Sequence, residues 1–139
     1  MAKKTVSNQY FEGIGRRKAA VARVRFSPVS KEAFYRINDR DYQEYFSIKR
    51  LSQLAIAPLK VLDASLRKEA GVEVKVRGGG TKAQSEAIVL GLGRALAKFN
   101  EEFKKELRVA GYLTRDPRKV ERKKFGLKKA RRAPQWRKR

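Results

Sequence analysis

The sequence predicts a small domain built from strands and helices, continued by a long basic tail that has no core of its own. Three observations carry that reading. Two stretches alternate with a period of two, Ala20, Ala22, Val24 and Phe26 against Arg23 and Arg25, then Val72, Val74 and Val76 against Glu73, Lys75 and Arg77, as half-buried strands do. Between residues 81 and 99 the period turns helical, with Ala87, Ile88, Leu92, Ala95, Leu96 and Phe99 at three- and four-residue spacing. Beyond residue 114, 25 residues hold 13 Lys or Arg against Asp116 and Glu121 alone, half of the chain's formal net charge of +22.

That tail has Val120, Phe125, Leu127 and Trp136 as its only large apolar residues, too few to offset the ordering entropy of a fold. Like charges in a terminal block repel one another into an extended arm, and the partner of such an arm is a polyanion. The rest of the chain, near the size of one core, is itself basic, so the partner supplies counter-charge to both parts. We divide the chain into a flexible N-terminus (1–8), a globular domain (9–114) and the tail (115–139).

Taken in order, residues 9–18 read QYFEGIGRRK. Gly13 and Gly15 permit tight or left-handed backbone, and Arg16, Arg17 and Lys18 follow them. Two readings stand, a turn with solvated charges or a loop whose bare backbone lets a phosphate approach three cations. The strand 20–26 and a second alternating run, Ala33, Tyr35 and Ile37 against Phe34, Arg36 and Asn38, are joined by SPVSKE, which predicts an antiparallel hairpin with a long loop. Outward arginines on both runs leave a basic sheet surface.

Asn38 or Asp39 is expected to cap a short helix carrying Tyr42, Tyr45 and Phe46, and Ser47 another carrying Ile48, Leu51 and Leu54. Asp39 and Asp41 have an Arg between them and no third ligand nearby, so we read them as caps and assign no metal. Pro58 suits the first turn of a helix that turns Leu59, Leu62 and Leu66 inward and ends near Gly71. The strand 72–76 runs into Gly78, Gly79 and Gly80, after which Thr81 and Gln84 have the spacing of a capping box. Gly91 and Gly93 inside the long helix each cost about 1 kcal/mol relative to Ala, which predicts close packing of backbone on a neighbour. Asn100 caps a last helix, with Glu101 and Glu102 in its first turn, Phe103 and Leu107 inward, and Gly111 as its stop.

A strand, three glycines and a helix N-terminus make an anion site, because unpaired N–H groups and the helix dipole both favour negative charge. Glycines alone equally suit a structural turn, and Lys75, Arg77 and Lys82 tip the balance toward phosphate. The chain lacks GxxxxGK[ST], so a nucleoside triphosphatase loop is not supported. With no His, no Cys, four Asp and no clustered carboxylates, nothing supports catalysis, a thiolate metal site or a cofactor. The first residues lack an apolar signal segment, the longest apolar run is far too short to span a bilayer, and the basic tail is not amphipathic, so a membrane role is not expected.

Four strings, GIGRRKAAVARVRF at 13–26, VKVRGGG at 74–80, AGYLTRDPRKVERKK at 110–124 and KKARRAPQWRKR at 128–139, closely resemble the bacterial-type ribosomal protein S-nine family of the small subunit. The resemblance implies an α+β fold, a mixed sheet packed on helices in two layers with a left-handed βαβ crossover as in the second domain of ribosomal protein S-five, plus the extended tail. It implies a non-enzymatic protein of the subunit head, in cytoplasmic or organellar ribosomes, whose partners are small-subunit rRNA, neighbouring ribosomal proteins and peptidyl-site tRNA.

For rRNA the positions are Gly13, Arg16, Arg17, Lys18, Lys75, Arg77, Gly78, Gly79, Gly80 and Lys82 in the domain. Arg115, Arg118, Arg122, Lys123, Lys124, Lys128, Lys129, Arg131 and Arg132 follow in the tail. For the anticodon stem-loop they are Arg137, Lys138 and Arg139, with Trp136 suited to stacking on a base or ribose. Departures from the family pattern are Ala83 in place of a glycine, Val89 in place of a basic residue, and Arg137 after the tail's aromatic in place of a serine. The alternative class is an architectural nucleic-acid binder outside the ribosome.

Overall fold

Strand β5 (Gly71–Arg77) lies at the centre of a five-stranded mixed sheet of order β1-β2-β5-β3-β4. The computed structural model describes residues 9–30 and 33–138. The expected flexible N-terminus and Arg139 lie outside the described residues. The other strands are β1 (Phe11–Arg17), β2 (Ala20–Ser27), β3 (Phe34–Ile37) and β4 (Arg40–Asp41). Only β3 with β5 is parallel. Their connection carries α1 (Tyr42–Tyr45), α2 (Lys49–Ile56), a 3-10 turn (Ala57–Val61) and α3 (Ala64–Glu69). Helix α4 (Thr81–Phe99) follows β5, and α5 (Phe103–Val109) follows α4.

The expected hairpin between 20–26 and 33–37 does not form, because β5 inserts between the two strands. Its register sets Phe26, Val24 and Ala22 opposite Val72, Val74 and Val76, so one apolar face runs unbroken across both strands. The antiparallel hairpin partner of β2 is instead β1, through a turn at Lys18 and Ala19. Phe11–Arg17 is therefore a strand rather than a loop, with Lys18 in the turn that follows it. Gly13 and Gly15 face α4, where a Cβ on Gly13 would stand 2.0 Å from the Gly91 carbonyl oxygen and one on Gly15 1.8 Å from that of Ala87. Gly91 answers from the helix, its own Cβ position 2.8 Å from Val24 Cγ2. The expected close packing in α4 is thus a glycine-on-glycine crossing of helix over sheet.

The inner face buries Ala20, Ala22, Val24, Phe26, Tyr35, Ile37, Val72, Val74 and Val76 against Ala87, Ile88, Leu92, Ala95 and Leu96 of α4. Phe99 closes one end, with ring centroids 5.4 Å from Phe11 and 5.5 Å from Phe26. The buried Tyr35 hydroxyl donates to the Ala55 carbonyl at 3.0 Å. Burial, with Tyr42 beside it, raises its pKa, so it stays a neutral donor. Strand β1 is an edge, and α4 covers it: Arg94 Nη1 donates to the Ile14 carbonyl at 2.7 Å and Lys98 Nζ to that of Glu12 at 2.8 Å.

Several caps differ from expectation. Asn38 and Asp39 sit at φ 48° and 67° in the two-residue turn between β3 and β4, a conformation their short side chains tolerate. Asp41 caps α1 instead, accepting from the Gln43 N–H at 2.9 Å. Ser47 caps nothing, since α2 begins from Ile48. The helix expected from Pro58 is a 3-10 turn broken at Leu62 before α3 starts. Thr81 is inside α4, whose N-cap is Gly80, and Gln84 Nε2 donates to the Gly78 carbonyl, so no capping box forms. Asn100 accepts from the Glu102 N–H at 2.9 Å, one turn before α5 begins. Gly111 does stop α5: its N–H and that of Tyr112 bond back to the carbonyls of Arg108 and Leu107.

Candidate nucleic-acid interface

Among the described residues the outer face of the sheet carries no helix, and its register sorts the charges into rows. Arg16, Val21 and Arg77 stand side by side across β1, β2 and β5, and Ile14, Arg23 and Lys75 form the next row. The third row reads Glu12, Arg25, Glu73, Arg36 and Asp41. There acids alternate with arginines, and Arg25 Nε meets Glu12 at 3.3 Å. The first two rows hold four cations, Arg16, Arg23, Lys75 and Arg77, with no carboxylate paired to any of them among the described residues. All four are exposed and line one shallow concavity with Ile14, Val21 and Val76. Cations held at strand spacing on a rigid sheet suit a backbone of regularly spaced phosphates.

Arg23, exposed in the second of these rows, is absent from the rRNA set expected from the sequence, although the alternation had already placed it on the outward face. Only the register shows that Arg23 stands between Ile14 and Lys75 rather than opposite an acid.

The glycine loop lies at the same end of the sheet. Gly78 and Gly79 adopt φ 75° and 67°, and a Cβ on Gly78 would meet the Ala19 carbonyl oxygen at 2.5 Å, so the loop wraps the β1–β2 turn that exposes Lys18. Gly80 has open space at its Cβ position and is the uncapped N-cap of α4. The first turn of α4, with the exposed Lys82, follows directly on this loop, which begins after Arg77 and packs on the Ala19 end of the turn that carries Lys18.

Two predicted contacts do not survive as predicted. Gly13 is buried under α4 and offers nothing to a ligand. Arg17 turns to the helix side of β1, its side chain 11 % exposed, with Nε 2.7 Å from Glu86 and Nη2 3.1 Å from Asp116. It also donates to the Arg118 carbonyl. Arg17 is thus an internal clamp that fixes the root of the tail onto α4.

Asp116 receives Arg118 as well, at 2.8 Å. Hydrogen bonds from the Arg118 side chain and backbone, then the charges of Arg118 and Arg17, hold the Asp116 carboxyl well below the usual carboxylate range. The same hydrogen bond raises the Arg118 pKa above its ordinary value.

From Arg115 to Lys138 the chain contains no helix or strand. It is not uniformly extended, because a turn at Phe125 and Gly126 and bends to Arg131 interrupt it. Arg115, Arg122, Lys123, Lys124, Lys128, Lys129, Arg131, Arg132, Arg137 and Lys138 are all exposed, and so is Trp136. Lys124 and Arg131 both pair with Glu121.

The family described as ribosomal protein S9/S16 matches residues 15–139. Among curated proteins, the small ribosomal subunit protein uS9 of Thermus thermophilus is 47% identical over 131 residues, 94% of this chain and 98% of that protein. The protein of the same name from Tropheryma whipplei strain Twist is 50% identical over 128 residues, covering 91% of this chain and 80% of its own length.

Proposed function

This chain belongs to the ribosomal protein S9/S16 family, and from that premise we propose that it is a structural, non-enzymatic component of the small ribosomal subunit that binds rRNA with one end of its sheet and with its tail. The observation that carries the reading is the pair of basic rows. Folding places four cations on a helix-free face without neutralising them, at a cost in self-repulsion that a polyanion relieves. The adjacent glycine loop and the N-terminus of α4 extend the same surface. The relatives' shared name, small ribosomal subunit protein, supports the assembly in which it acts.

At the far end, Arg137, Lys138 and Arg139 reach the anticodon stem-loop of peptidyl-site tRNA in this reading, and Trp136 stacks beside them. Support comes from the family likeness and from the exposure of Trp136, which is 92% accessible with no partner to pack on among the described residues. The protein sits in the subunit head among neighbouring ribosomal proteins.

Co-sedimentation through a high-salt wash tests the assembly. The protein is expected to remain with small subunits, and release together with preferential binding to duplex DNA overturns the reading. Deleting residues 137–139 is expected to leave incorporation intact while peptidyl-site tRNA dissociates faster; an unchanged dissociation rate removes the tRNA role.

A further inference from the structure

Resting on the rRNA-binding reading above, we propose that residues 121–132 form a single-stranded RNA site in which Phe125 stacks on one unpaired base and Glu121 holds the loop in shape. Phe125 is fully exposed, at 100%, whereas Phe11, Phe26, Phe46, Phe99 and Phe103 all pack in the domain. A turn puts it there: Gly126 takes φ 76°, and the Leu127 N–H points back to the Lys124 carbonyl at 3.4 Å. A bare ring at the tip of a turn loses the hydrophobic gain of burial, so some partner face completes it.

The loop is closed by the one acid that follows Asp116. Glu121 takes the Lys124 ammonium on one oxygen and Arg131 Nε at 2.9 Å on the other. The Lys128 N–H donates to the Arg132 carbonyl at 2.7 Å. These are surface contacts, so they bias the loop rather than lock it. Arg122, Lys123, Lys128, Lys129 and Arg132 flank the tip, exposed and with no carboxylate paired to them among the described residues.

Cations on both sides of an aromatic tip match an unpaired nucleotide, whose base presents a π face between two phosphates. A duplex hides that face. An apolar protein pocket would have to carry a matching set of acids around its rim.

The test uses the full-length protein with two probes, a 12-nucleotide oligo(A) and an RNA duplex of the same length. Phe125→Trp, made in a Trp136→Phe background, is expected to lose emission on oligo(A) and keep it on the duplex. Phe125→Leu is expected to weaken oligo(A) binding about tenfold, as loss of one stacked base does, while duplex binding and the salt dependence stay as in wild type. Phe125→Tyr is expected to retain affinity.

Glu121→Gln removes a negative charge, so a loop that acts by charge alone would bind more tightly. Weaker binding, with weaker quenching in the Phe125→Trp chain, is expected if Glu121 positions the ring. Equal oligo(A) affinity for wild type and Phe125→Leu, or tighter binding by Glu121→Gln, overturns the site as stated. If Phe125→Leu binds every RNA normally but occupies reconstituted subunits poorly, the ring belongs in a protein pocket and the proposal falls. Wild-type retention through the salt wash separates the two levels: retention with an indifferent Phe125 sinks only the stacking site, and release with intact stacking sinks only the ribosomal assignment.

Discussion

Two stretches of this chain look alike in sequence, GIGRRK at 13–18 and VRGGGTK at 76–82, each a set of glycines beside cations. The fold uses them in opposite ways. In the first, the missing Cβ atoms make room for the backbone of α4, the glycines are buried, and one of the three cations, Arg17, turns inward. In the second, positive φ angles turn the chain around the β1–β2 hairpin, and the glycines stay open to solvent. What a glycine means depends on what occupies the side where its Cβ would be. That is a property of tertiary packing, so no local string states it.

The largest effect follows directly. A methyl on Gly15 would sit 1.8 Å from the Ala87 carbonyl oxygen, and backbone of a core helix gives way only by moving the helix. Gly15→Ala is expected to destabilise the domain by about 3 kcal/mol or more, at the top of the range for overpacking. Gly80→Ala has open space and an extended φ of −97°, so its cost is expected to stay below about 1 kcal/mol. Urea midpoints of the two variants read the difference. Equal losses would break the contrast between buried and open glycines.

The second effect concerns the cations that the two stretches do expose. Arg23→Gln with Lys75→Gln removes two of the four charges in the basic rows without touching the inner face. Stability is expected to stay within about 0.5 kcal/mol of wild type. The slope of log affinity for rRNA against log salt should flatten by about 1.4 to 1.8, the share of two phosphate contacts. The matched control is Arg25→Gln with Arg36→Gln, in the row where acids already alternate with arginines; a slope change as large as that of the first pair would mean that row neutralisation does not select the interface.

How much of this was legible beforehand depended on range. Strand 72–76, helix 81–99 and the stop at Gly111 could be read because periodicity and end signals are local, and the outward arginines followed from alternation alone. The family strings carried the α+β class. What could not be read was pairing: β5 separates β2 from β3 because three valines align across β2, a fact of register between distant segments. Likewise Arg17 reads as one more cation in RRK, since its partners lie 69 and 101 positions away, at Glu86 and the Arg118 carbonyl. Asp116, one of two acids in the tail, was the available signal, because an acid kept within such a basic block has a cation to hold.

The smallest effect tests that clamp. Arg17 is nearly buried while its two carboxylate partners are each about one-third exposed, so Arg17→Gln is expected to cost about 1 to 2 kcal/mol, short of a fully buried pair. Acid supplies the complementary measurement. The Asp116 carboxyl titrates below its unfolded value because Arg118 and Arg17 favour the ionised form. The unfolded chain therefore takes up this proton first, and the stabilisation is complete above the ordinary aspartate pKa of about 3.9 and is lost as pH falls below it. Melting temperatures of wild type and Asp116→Asn should differ at pH 7 and begin to converge below about pH 5, with the gap still closing at pH 3. In an Arg17→Gln background the gap should shrink but persist, since Arg118 remains the larger cause of the depressed pKa. A gap that widens in acid would mean that Asp116 does not join the tail to the domain through its charge, and the inward turn of Arg17 would then rest on Glu86 alone.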